Sequence, residues 1–515
     1  METSKEGRAI SRNFPDAVVR ANEIRGRERD YGEIMFKQPH LLDLSYPELE
    51  ERNLQLKERR LAGETGEDLR EELLKYLAEE KGIKAVTVCF SDLEGKLCAL
   101  DYDKKYIVHA EDNLTFDGSS VRGFTELAQS DLRLKVDWSS FRWVPADLFG
   151  AGKVLVFADV CNGDGSFYIS DFRSHLSQFS VDLRALGVTV NVAPEVEGFL
   201  FEGEKAEQYF DEREGFKMAT MSGYFSSLPR DTLRLFIDKF AEVQRAFGFQ
   251  NEKDHPEVAP AQFELSFRYS SALDTADQIQ LYKLLARQVA KSMGFTASFL
   301  PKPIQNLNGS GMHTNISLAR GGKNIFYSKD DKNFLSGDAY KFITGILAYA
   351  KDLCLTMNSS VNSYRRLDPD FEAPNEIKFS STDRGSMIRI PMGNEESTRI
   401  EVRTVAPDAN PYLYIYALLK SGFEGVKADE SYYTSMKERI SGDVQILPVD
   451  IYEALDYFEK SEFMKDILGE ENHRKYAELK MEVAHRSPRA LGTRVKTEEV
   501  IYHHEVRNQM LWDGF

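Results

Sequence analysis

The strongest constraint on the fold of this 515-residue chain is a pair of acidic residues two positions apart in a segment that otherwise resembles a buried strand. Glu195 and Glu197 lie among Val, Phe and Leu residues. Side chains at positions i and i+2 of a strand point to the same face, so the two carboxylates share one face. Buried carboxylates are costly unless they are paired or bind a metal ion, and a solvated sheet face is the alternative for this segment alone.

The same alternation recurs in three other segments, each of which predicts a strand with one polar face. The first segment contains His255, Glu257 and Glu264 and leads into a strand predicted over 261–269. The polar residues are His313, Asn315 and Ser317 in the second segment, and Arg399, Glu401 and Arg403 in the third. Four strands that present polar groups on one side and apolar groups on the other predict a polar funnel inside a sheet or barrel.

The acids of this funnel suit hard divalent cations. Oxygen ligands dominate the set and only one imidazole accompanies them, which favours Mg²⁺ or Mn²⁺ over zinc or copper. We expect two ions. The candidate metal ligands are Glu195, Glu197, Glu257, Glu264, His313 and Glu401.

Arginines are concentrated between positions 366 and 403. Guanidinium groups fit phosphate and carboxylate oxygens, although any single arginine could instead form a surface ion pair. Acidic metal sites beside arginines predict phosphoryl transfer, in which cations offset the charge of the moving phosphoryl group. The arginines are Arg366, Arg384, Arg389, Arg399 and Arg403.

Several classes of protein are excluded by what the sequence lacks. It has no P-loop motif, no dinucleotide-binding glycine motif after a strand and no nucleophile elbow. The net charge of −17 disfavours nucleic acid and anionic membrane as partners. The longest apolar stretches are too short to span a bilayer, and the charged start does not resemble a secretion signal, so a cytoplasmic location is expected.

Changes in periodicity predict three regions. Residues 1–82 are predicted to form a charged, helical extension, with a capping box at Ser45–Glu48 that opens a helix to about Leu61. Residues 83–168 are predicted to form a small β-rich domain. Residues 169–515 are predicted to form one α+β domain with a helical tail, including a single helix over 338–357.

Seven motifs in order resemble type I glutamine synthetases over residues 84–425. They are Phe116–Ser120, Pro194–Glu197, Glu257 with Glu264, Asn308–His313, Asn362–Leu367, Phe371–Pro374 and Arg399–Arg403. The resemblance implies an α+β fold: a small N-terminal β-grasp domain and a large catalytic domain whose curved antiparallel sheet forms a half-barrel funnel surrounded by helices. It also implies a dodecamer of two hexameric rings with active sites shared between neighbouring subunits.

The resemblance assigns roles to the metal and glutamate sites. The expected ligands of one divalent ion are Glu197, Glu257 and Glu264. The expected ligands of the other are Glu195, His313 and Glu401. L-Glutamate is expected to contact Asn308, Gly309, Arg366 and Arg403.

It also assigns the ATP and ammonium sites. The phosphates of the co-substrate ATP are expected to contact Arg384, Arg389 and Arg399, and the nucleoside Glu252, Tyr269 and Ser317. Ammonium is expected to be surrounded by Tyr224 and Glu257 together with Asp117 and Ser120 of a neighbouring subunit. Glu372 is expected to lie on a flap and to help deprotonate ammonium, so that the candidate catalytic residues are Asp117, Glu372 and Arg384.

The implied reaction joins ammonia to the γ-carboxylate of L-glutamate through γ-glutamyl phosphate, with glutamine, ADP and phosphate as products. Ammonium is not nucleophilic, so the pocket must also remove a proton. Two alternatives stay open. One is a γ-glutamyl ligase for a larger amine such as a polyamine or ethanolamine, and the other is a non-catalytic structural relative, which would be expected to have lost metal acids or arginines.

Two departures from the family bear on regulation. The run Asp443–Pro448 replaces the tyrosine that some bacterial members adenylylate, so that control is not expected. Glu126 stands where a feedback-sensitive subgroup has arginine, which argues against that form of inhibition by glutamine.

Overall fold

A computed structural model of the chain describes residues 40–125, 130–206, 215–225 and 231–485. Glu126 lies outside these residues. Two hydrophobic cores organise the described residues, a smaller core in their N-terminal part and a larger core that extends through most of the others. Among the described helices, none has the length and apolar composition needed to cross a bilayer.

The smaller core is built on a five-stranded sheet in the order β2-β1-β5-β4-β3. The strands are β1 (Ala85–Ser91), β2 (Leu97–Asp103), β3 (Leu114–Asp117), β4 (Asp131–Trp143) and β5 (Lys153–Cys161). β1 and β5 are parallel, and the other neighbouring pairs are antiparallel. This is the small β-rich domain that the sequence predicts.

Two helices of the N-terminal extension cover this sheet. Helix α1 (Tyr46–Leu61) begins with the predicted capping box, in which the Ser45 backbone N–H donates to Glu48 Oε2 at 2.7 Å. Helix α2 (Gly66–Glu79) packs on β4. The apolar face that α2 buries consists of Leu69, Leu73, Tyr76 and Leu77.

The larger core lies beneath a ten-stranded sheet whose main path runs β13-β14-β15-β11-β6-β8-β7. Its strands are β6 (Val188–Glu202), β7 (Asn251–Pro256), β8 (Gln262–Phe267), β9 (Ser270–Ser271), β10 (Phe295–Ser298), β11 (Met312–Arg320), β12 (Lys323–Asn324), β13 (Glu376–Ser380), β14 (Ser386–Arg389) and β15 (Ile400–Val402). Apart from the parallel pair β13 and β14, the pairs are antiparallel.

Helices surround this sheet. They are α4 (Ala146–Phe149), α5 (Phe172–Ala185), α6 (Thr232–Ala246), α7 (Ala272–Ser292), α8 (Gly337–Ala348), α9 (Ala350–Met357), α10 (Val361–Arg366), α11 (Pro411–Lys427), α12 (Glu430–Arg439), α13 (Ile451–Lys460), α14 (Glu462–Leu468) and α15 (Glu470–His485). Helix α3 (Lys104–Ala110) belongs to the small domain, where it packs against α2, β1 and β2. The prediction of one helix over 338–357 is wrong. The backbone of Tyr349 (φ −108°, ψ 12°) interrupts the helix, while the apolar pattern continues across the break.

Candidate active site

Antiparallel pairing on both sides of β6 brings the predicted acids together. Glu195 lies opposite His313 of β11, and Glu197 lies opposite Glu264 of β8. Glu401 of β15 lies opposite Asn315, two residues along β11 from His313. Directly opposed residues have Cβ atoms about 4.5–5.5 Å apart, so the strand register gathers these side chains on one polar face.

This polar face lines a cavity of about 270 Å³. Most residues that the sequence analysis selects lie in its wall. They are Glu195, Glu197, Tyr224, Glu257, Glu264, Asn308, Gly309, His313, Arg366, Glu372, Arg384, Arg389, Arg399, Glu401 and Arg403. The structure therefore contains the polar funnel that the alternation predicts.

Glu195, His313 and Glu401 form one group of potential metal ligands, the β6–β11–β15 cluster. The Nδ1 atom of His313 lies 3.5 Å from Glu195 Oε2 and 3.6 Å from Glu401 Oε1. Burial would raise the pKa of Glu195, but the hydrogen bond and charge of His313 outweigh it and lower the pKa to about 2. Arg389 donates to Glu401 at 2.6 Å, so protein cations already balance part of this cluster.

His255, Glu257 and Glu264 form a second group, the β7–β8 cluster. His255 Nδ1 lies 3.2 Å from Glu257 Oε1, and its Nε2 lies 3.9 Å from Glu264 Oε1. Burial, reinforced by the charges of Glu197 and Glu264, raises the pKa of Glu257 to about 9. Burial and the neighbouring carboxylates likewise raise the pKa of Glu264 to about 7. These acids repel one another, and the charge of Lys253 only partly offsets this repulsion at Glu264.

Both clusters fit a hard divalent cation. Each combines two carboxylates with one imidazole, and the ligand atoms of each lie within 4.8 Å of one another. A cation would also relieve the repulsion that raises the pKa values in the β7–β8 cluster.

The composition of the β7–β8 cluster differs in one residue from the predicted ligand set. Glu197 Oε2 accepts hydrogen bonds from the Gly311 backbone N–H at 2.8 Å and from Gln262 Nε2 at 3.3 Å. His255 instead joins Glu257 and Glu264. His255 stands in one of the polar segments of the sequence, but the pattern predicts no role for it. Its position two residues before Glu257 was the signal, since i and i+2 side chains share a face.

The glycines at 309 and 311 allow the close approach of Arg366. A Cβ atom at Gly309 would lie 2.3 Å from the Pro301 carbonyl oxygen, and one at Gly311 would lie 2.6 Å from an Arg366 guanidinium nitrogen. Arg366 is 2% exposed and donates to the Arg403 carbonyl oxygen at 2.9 Å. The loop therefore needs glycine to let this buried arginine reach the cavity wall.

Glu372 lies in a strained backbone conformation, with φ of 61° in the left-handed region. Asn308 Nδ2 donates to its carboxylate at 3.2 Å, and an Arg384 guanidinium nitrogen lies 3.7 Å away. The Glu372 side chain is half exposed. An acidic side chain is thus held over the cavity by one amide and one cation.

A second cavity of about 400 Å³ adjoins the first. It is lined by Glu252, Tyr269 and Ser317, the residues predicted to contact the nucleoside. The guanidinium of Arg268 lies 5.5 Å from the centre of the Tyr269 ring. Three polar residues that are distant in the sequence therefore share a single wall.

Asp117 and Ser120 are the predicted site residues that line neither cavity. Both lie at the end of β3 in the small domain. Asp117 accepts hydrogen bonds from Ser119 Oγ at 2.6 Å and from Ser120 Oγ at 2.5 Å. These hydroxyl groups lower the pKa of Asp117 and keep the exposed carboxylate charged. A single chain therefore does not bring this pair to Tyr224 and Glu257.

The chain matches known proteins over both domains. Family models match residues 82–163 as the β-grasp domain and residues 170–497 as the catalytic domain of glutamine synthetase. A glutamine synthetase of Clostridium saccharobutylicum is 36% identical over 414 residues, 78% of this chain and 91% of the relative. One of Thermotoga maritima is 34% identical over 421 residues, 79% of this chain and 94% of the relative.

Solved structures agree with this assignment. A Plasmodium falciparum glutamine synthetase superposes with a TM-score of 0.72 at 25% identity, covering 80% of this chain and 95% of that one. A protein named GmaS in complex with ADP superposes with a TM-score of 0.68 at 26% identity, with the same coverage. The predicted α+β architecture, a β-grasp domain followed by a curled antiparallel half-barrel, is confirmed. The chain belongs to the glutamine synthetase family of glutamate–ammonia ligases.

Proposed function

We propose that the chain makes L-glutamine from L-glutamate, ammonia and ATP through γ-glutamyl phosphate. The observation that carries this proposal is the convergence of two acidic clusters and several arginines in one cavity that opens into a second cavity. Acids that attract cations and arginines that attract anions are both needed where a phosphoryl group moves between two oxygens.

The acids would hold two divalent ions, Mg²⁺ or Mn²⁺. One ion would be held by Glu195, His313 and Glu401, and the other by Glu257 and Glu264, with Glu197 or His255 completing the set. Bound ions would supply positive charge that offsets the charge of the phosphoryl group.

Arginines would orient the two anionic substrates. Arg366 and Arg403, together with Asn308 and Gly309, would bind the carboxylate groups of glutamate. Buried guanidinium groups at fixed positions suit this planar recognition. The phosphates of ATP would contact Arg384, Arg389 and Arg399, and its nucleoside would occupy the second cavity beside Glu252, Tyr269 and Ser317.

Ammonium would bind between Tyr224 and Glu257, where acidic groups attract the cation. Asp117 and Ser120 would be supplied by a neighbouring subunit, since neither lines this cavity in their own chain. Glu372 would accept the proton that ammonium loses. The flap that carries Glu372 would exclude water from the acyl phosphate. This arrangement requires an oligomer, and we propose a dodecamer of two hexameric rings in the cytoplasm.

A ligase for a larger amine is the second candidate. Tyr224 and Val258, which line the cavity beside Glu257, are 46% and 40% exposed. Their apolar surfaces could contact the substituent of a polyamine or ethanolamine.

Phosphate release by the purified protein with ATP, Mg²⁺ and glutamate tests the proposal. We expect turnover with ammonium and formation of glutamine, detected by chromatography, and much weaker turnover with ethanolamine or polyamines. Turnover with a larger amine and none with ammonium would favour the second candidate. Glu401→Gln, which removes one proposed metal ligand, serves as the inactive control, and inactivity of the unmodified protein under all conditions would favour a structural role.

A further inference from the structure

Three of the described residues line both cavities: Glu195, Lys253 and Arg399. They therefore form the neck between the metal clusters and the proposed nucleoside site. Glu195 lies on β6, in the middle of the sheet order β15-β11-β6-β8-β7. Arg399 directly precedes β15 on one side, and Lys253 lies on β7 on the other. One cation thus flanks the neck from each side.

Lys253 and His255 point to the same face of β7, since side chains at i and i+2 share a face, and both line the first cavity. A β-bulge lies directly before Lys253. Asn251 pairs with Phe267 and Lys253 pairs with Ser266, so two steps along β7 match one step along β8. In a regular strand, Glu252 and Lys253 would point to opposite faces. Here both line the second cavity. The bulge therefore explains why Glu252 lines the second cavity beside Lys253.

Arg399 and Lys253 differ in how they are held. Arg399 Nε donates to Asn315 Oδ1 at 2.8 Å, and another of its nitrogens donates to the Ser397 carbonyl oxygen at 3.2 Å. For Lys253, no carboxylate of the described part of the chain lies within the 4.0 Å of an ion pair. Its side chain is exposed in the cavity wall. The ammonium group of Lys253 is therefore available to an anionic ligand.

The charge of Lys253 acts on both acidic clusters. After burial and His313, it is among the causes that set the low pKa of Glu195. It also opposes the burial that raises the pKa of Glu264. Lys253 could thus serve merely as a counter-charge for these acids, and the test must separate that role from ligand binding.

We propose that Lys253 binds the polyphosphate of the nucleoside triphosphate at the neck, opposite Arg399. This inference rests on the proposed function, since the phosphates must cross the neck if the nucleoside lies in one cavity and the γ-phosphoryl group in the other. A lysine suits this position because its compact ammonium is a point charge for phosphate oxygens, while the guanidinium of Arg399 stays fixed to Asn315.

Calorimetric binding of the Mg²⁺ complex of AMP-PNP tests this role. Lys253→Met should weaken binding about 10-fold or more, since it removes a charged hydrogen bond. Lys253→Arg should stay within about threefold of the unmodified protein because it keeps the charge. Adenosine binding and the KM for glutamate should be unchanged, whereas the KM for ATP should rise. Lys291→Met, at an exposed position of α7, is the matched control.

Mn²⁺ binding without nucleotide, followed by electron paramagnetic resonance, separates the two roles. Unchanged AMP-PNP binding by Lys253→Met, with tighter Mn²⁺ binding, would show a counter-charge only and overturn the inference. Equal AMP-PNP binding by Lys253→Met and Lys291→Met would overturn it as well. Failure of the unmodified protein to bind AMP-PNP would instead overturn the proposed function, and the Lys253 inference with it.

Discussion

Two groups of buried charges in this molecule have opposite electrostatic balances. An interdomain network joins the N-terminal helices and small domain to the catalytic domain through four cations and four acids. Its members are Lys57, Arg60, Arg142 and Arg173 with Asp137, Asp159, Asp274 and Asp277. The β7–β8 cluster also buries carboxylates, but its acids face other acids.

The pKa values of two carboxylates express this difference. Burial would raise the pKa of Asp274, but Arg60, Lys57 and Arg142 outweigh it and lower the pKa to about 2. Burial and like charges raise the pKa of Glu257 to about 9. Cations of the chain thus keep Asp274 charged where the domains meet, whereas the acids of the β7–β8 cluster favour a ligand that brings positive charge. Burial raises the pKa of Asp159, which pairs with Arg173 in the network, to about 7, so a raised pKa alone does not mark a ligand site.

The largest expected effect is loss of turnover in Glu257→Gln. Gln mimics the protonated acid that the raised pKa favours, so the metal-free free energy of unfolding should be unchanged. Turnover should fall about 1,000-fold, because one ligand of a metal-assisted step is worth several kcal/mol. Phosphate release and denaturant unfolding in a chelator measure the two quantities. A large loss of stability without metal would show that the Glu257 carboxylate stabilises the fold, which contradicts the difference between the interdomain network and the β7–β8 cluster.

Asp274→Asn is expected to lower the stability of the fold and to leave metal binding unchanged. Removing the negative charge leaves Lys57, Arg60 and Arg142 buried without their shared partner. The free energy of unfolding should fall by about 3 kcal/mol, as for other broken buried ion pairs. Urea unfolding measures it, and Mn²⁺ affinity at the distant clusters should stay unchanged. Equal stability of variant and unmodified protein would show that the network does not hold the domains together.

The site was more predictable than the network because it follows strand periodicity. Glu195, Glu197, His313 and Glu401 were selected from alternation alone, since period two survives any tertiary arrangement. The family resemblance then supplied the arginine roles, which remain proposals. Which strands are neighbours, and in which register, was not available from the sequence.

The features that the sequence does not predict have one physical cause: they depend on contacts between residues that are far apart in the chain. Neither β7 nor its bulge was predicted, because a bulge depends on the partner strand. Without β7, the sequence predicted no role for His255 or Lys253. The interdomain network was not predicted because Arg173 and Asp277 are far apart in the sequence and are in contact only in the folded chain. A sequence pattern predicts which face of a strand or helix is polar, whereas the pairing of distant elements decides which faces are in contact.

A neutral link across the same interface should have a smaller effect. The Nδ2 of Asn53 in α1 donates to the Trp143 carbonyl oxygen at 2.9 Å and to the Ala246 carbonyl oxygen at 2.7 Å. Its Oδ1 accepts from the Trp143 N–H at 3.1 Å. Asn53→Ala leaves these buried groups without partners, so the free energy of unfolding should fall by about 2 kcal/mol. Urea unfolding measures it, and an unchanged midpoint would remove Asn53 from the interface.

The smallest expected effect is the pH dependence of metal binding at the β7–β8 cluster. The raised pKa of Glu264, about 7, means that an ion must displace a proton below neutral pH. Mn²⁺ affinity should therefore rise with pH, and the proton of Glu264 alone should contribute about fivefold from pH 6 to pH 7, in addition to the rise from the proton that Glu257 loses. Without metal, the sign reverses: the native state holds more protons than the unfolded chain, so the free energy of unfolding falls as pH rises. Mn²⁺ titrations at pH 6, 7 and 8 measure the first trend. Glu264→Gln should remove the Glu264 contribution and keep that of Glu257. A Mn²⁺ affinity independent of pH in the unmodified protein would contradict the raised pKa values that distinguish this cluster from Asp274.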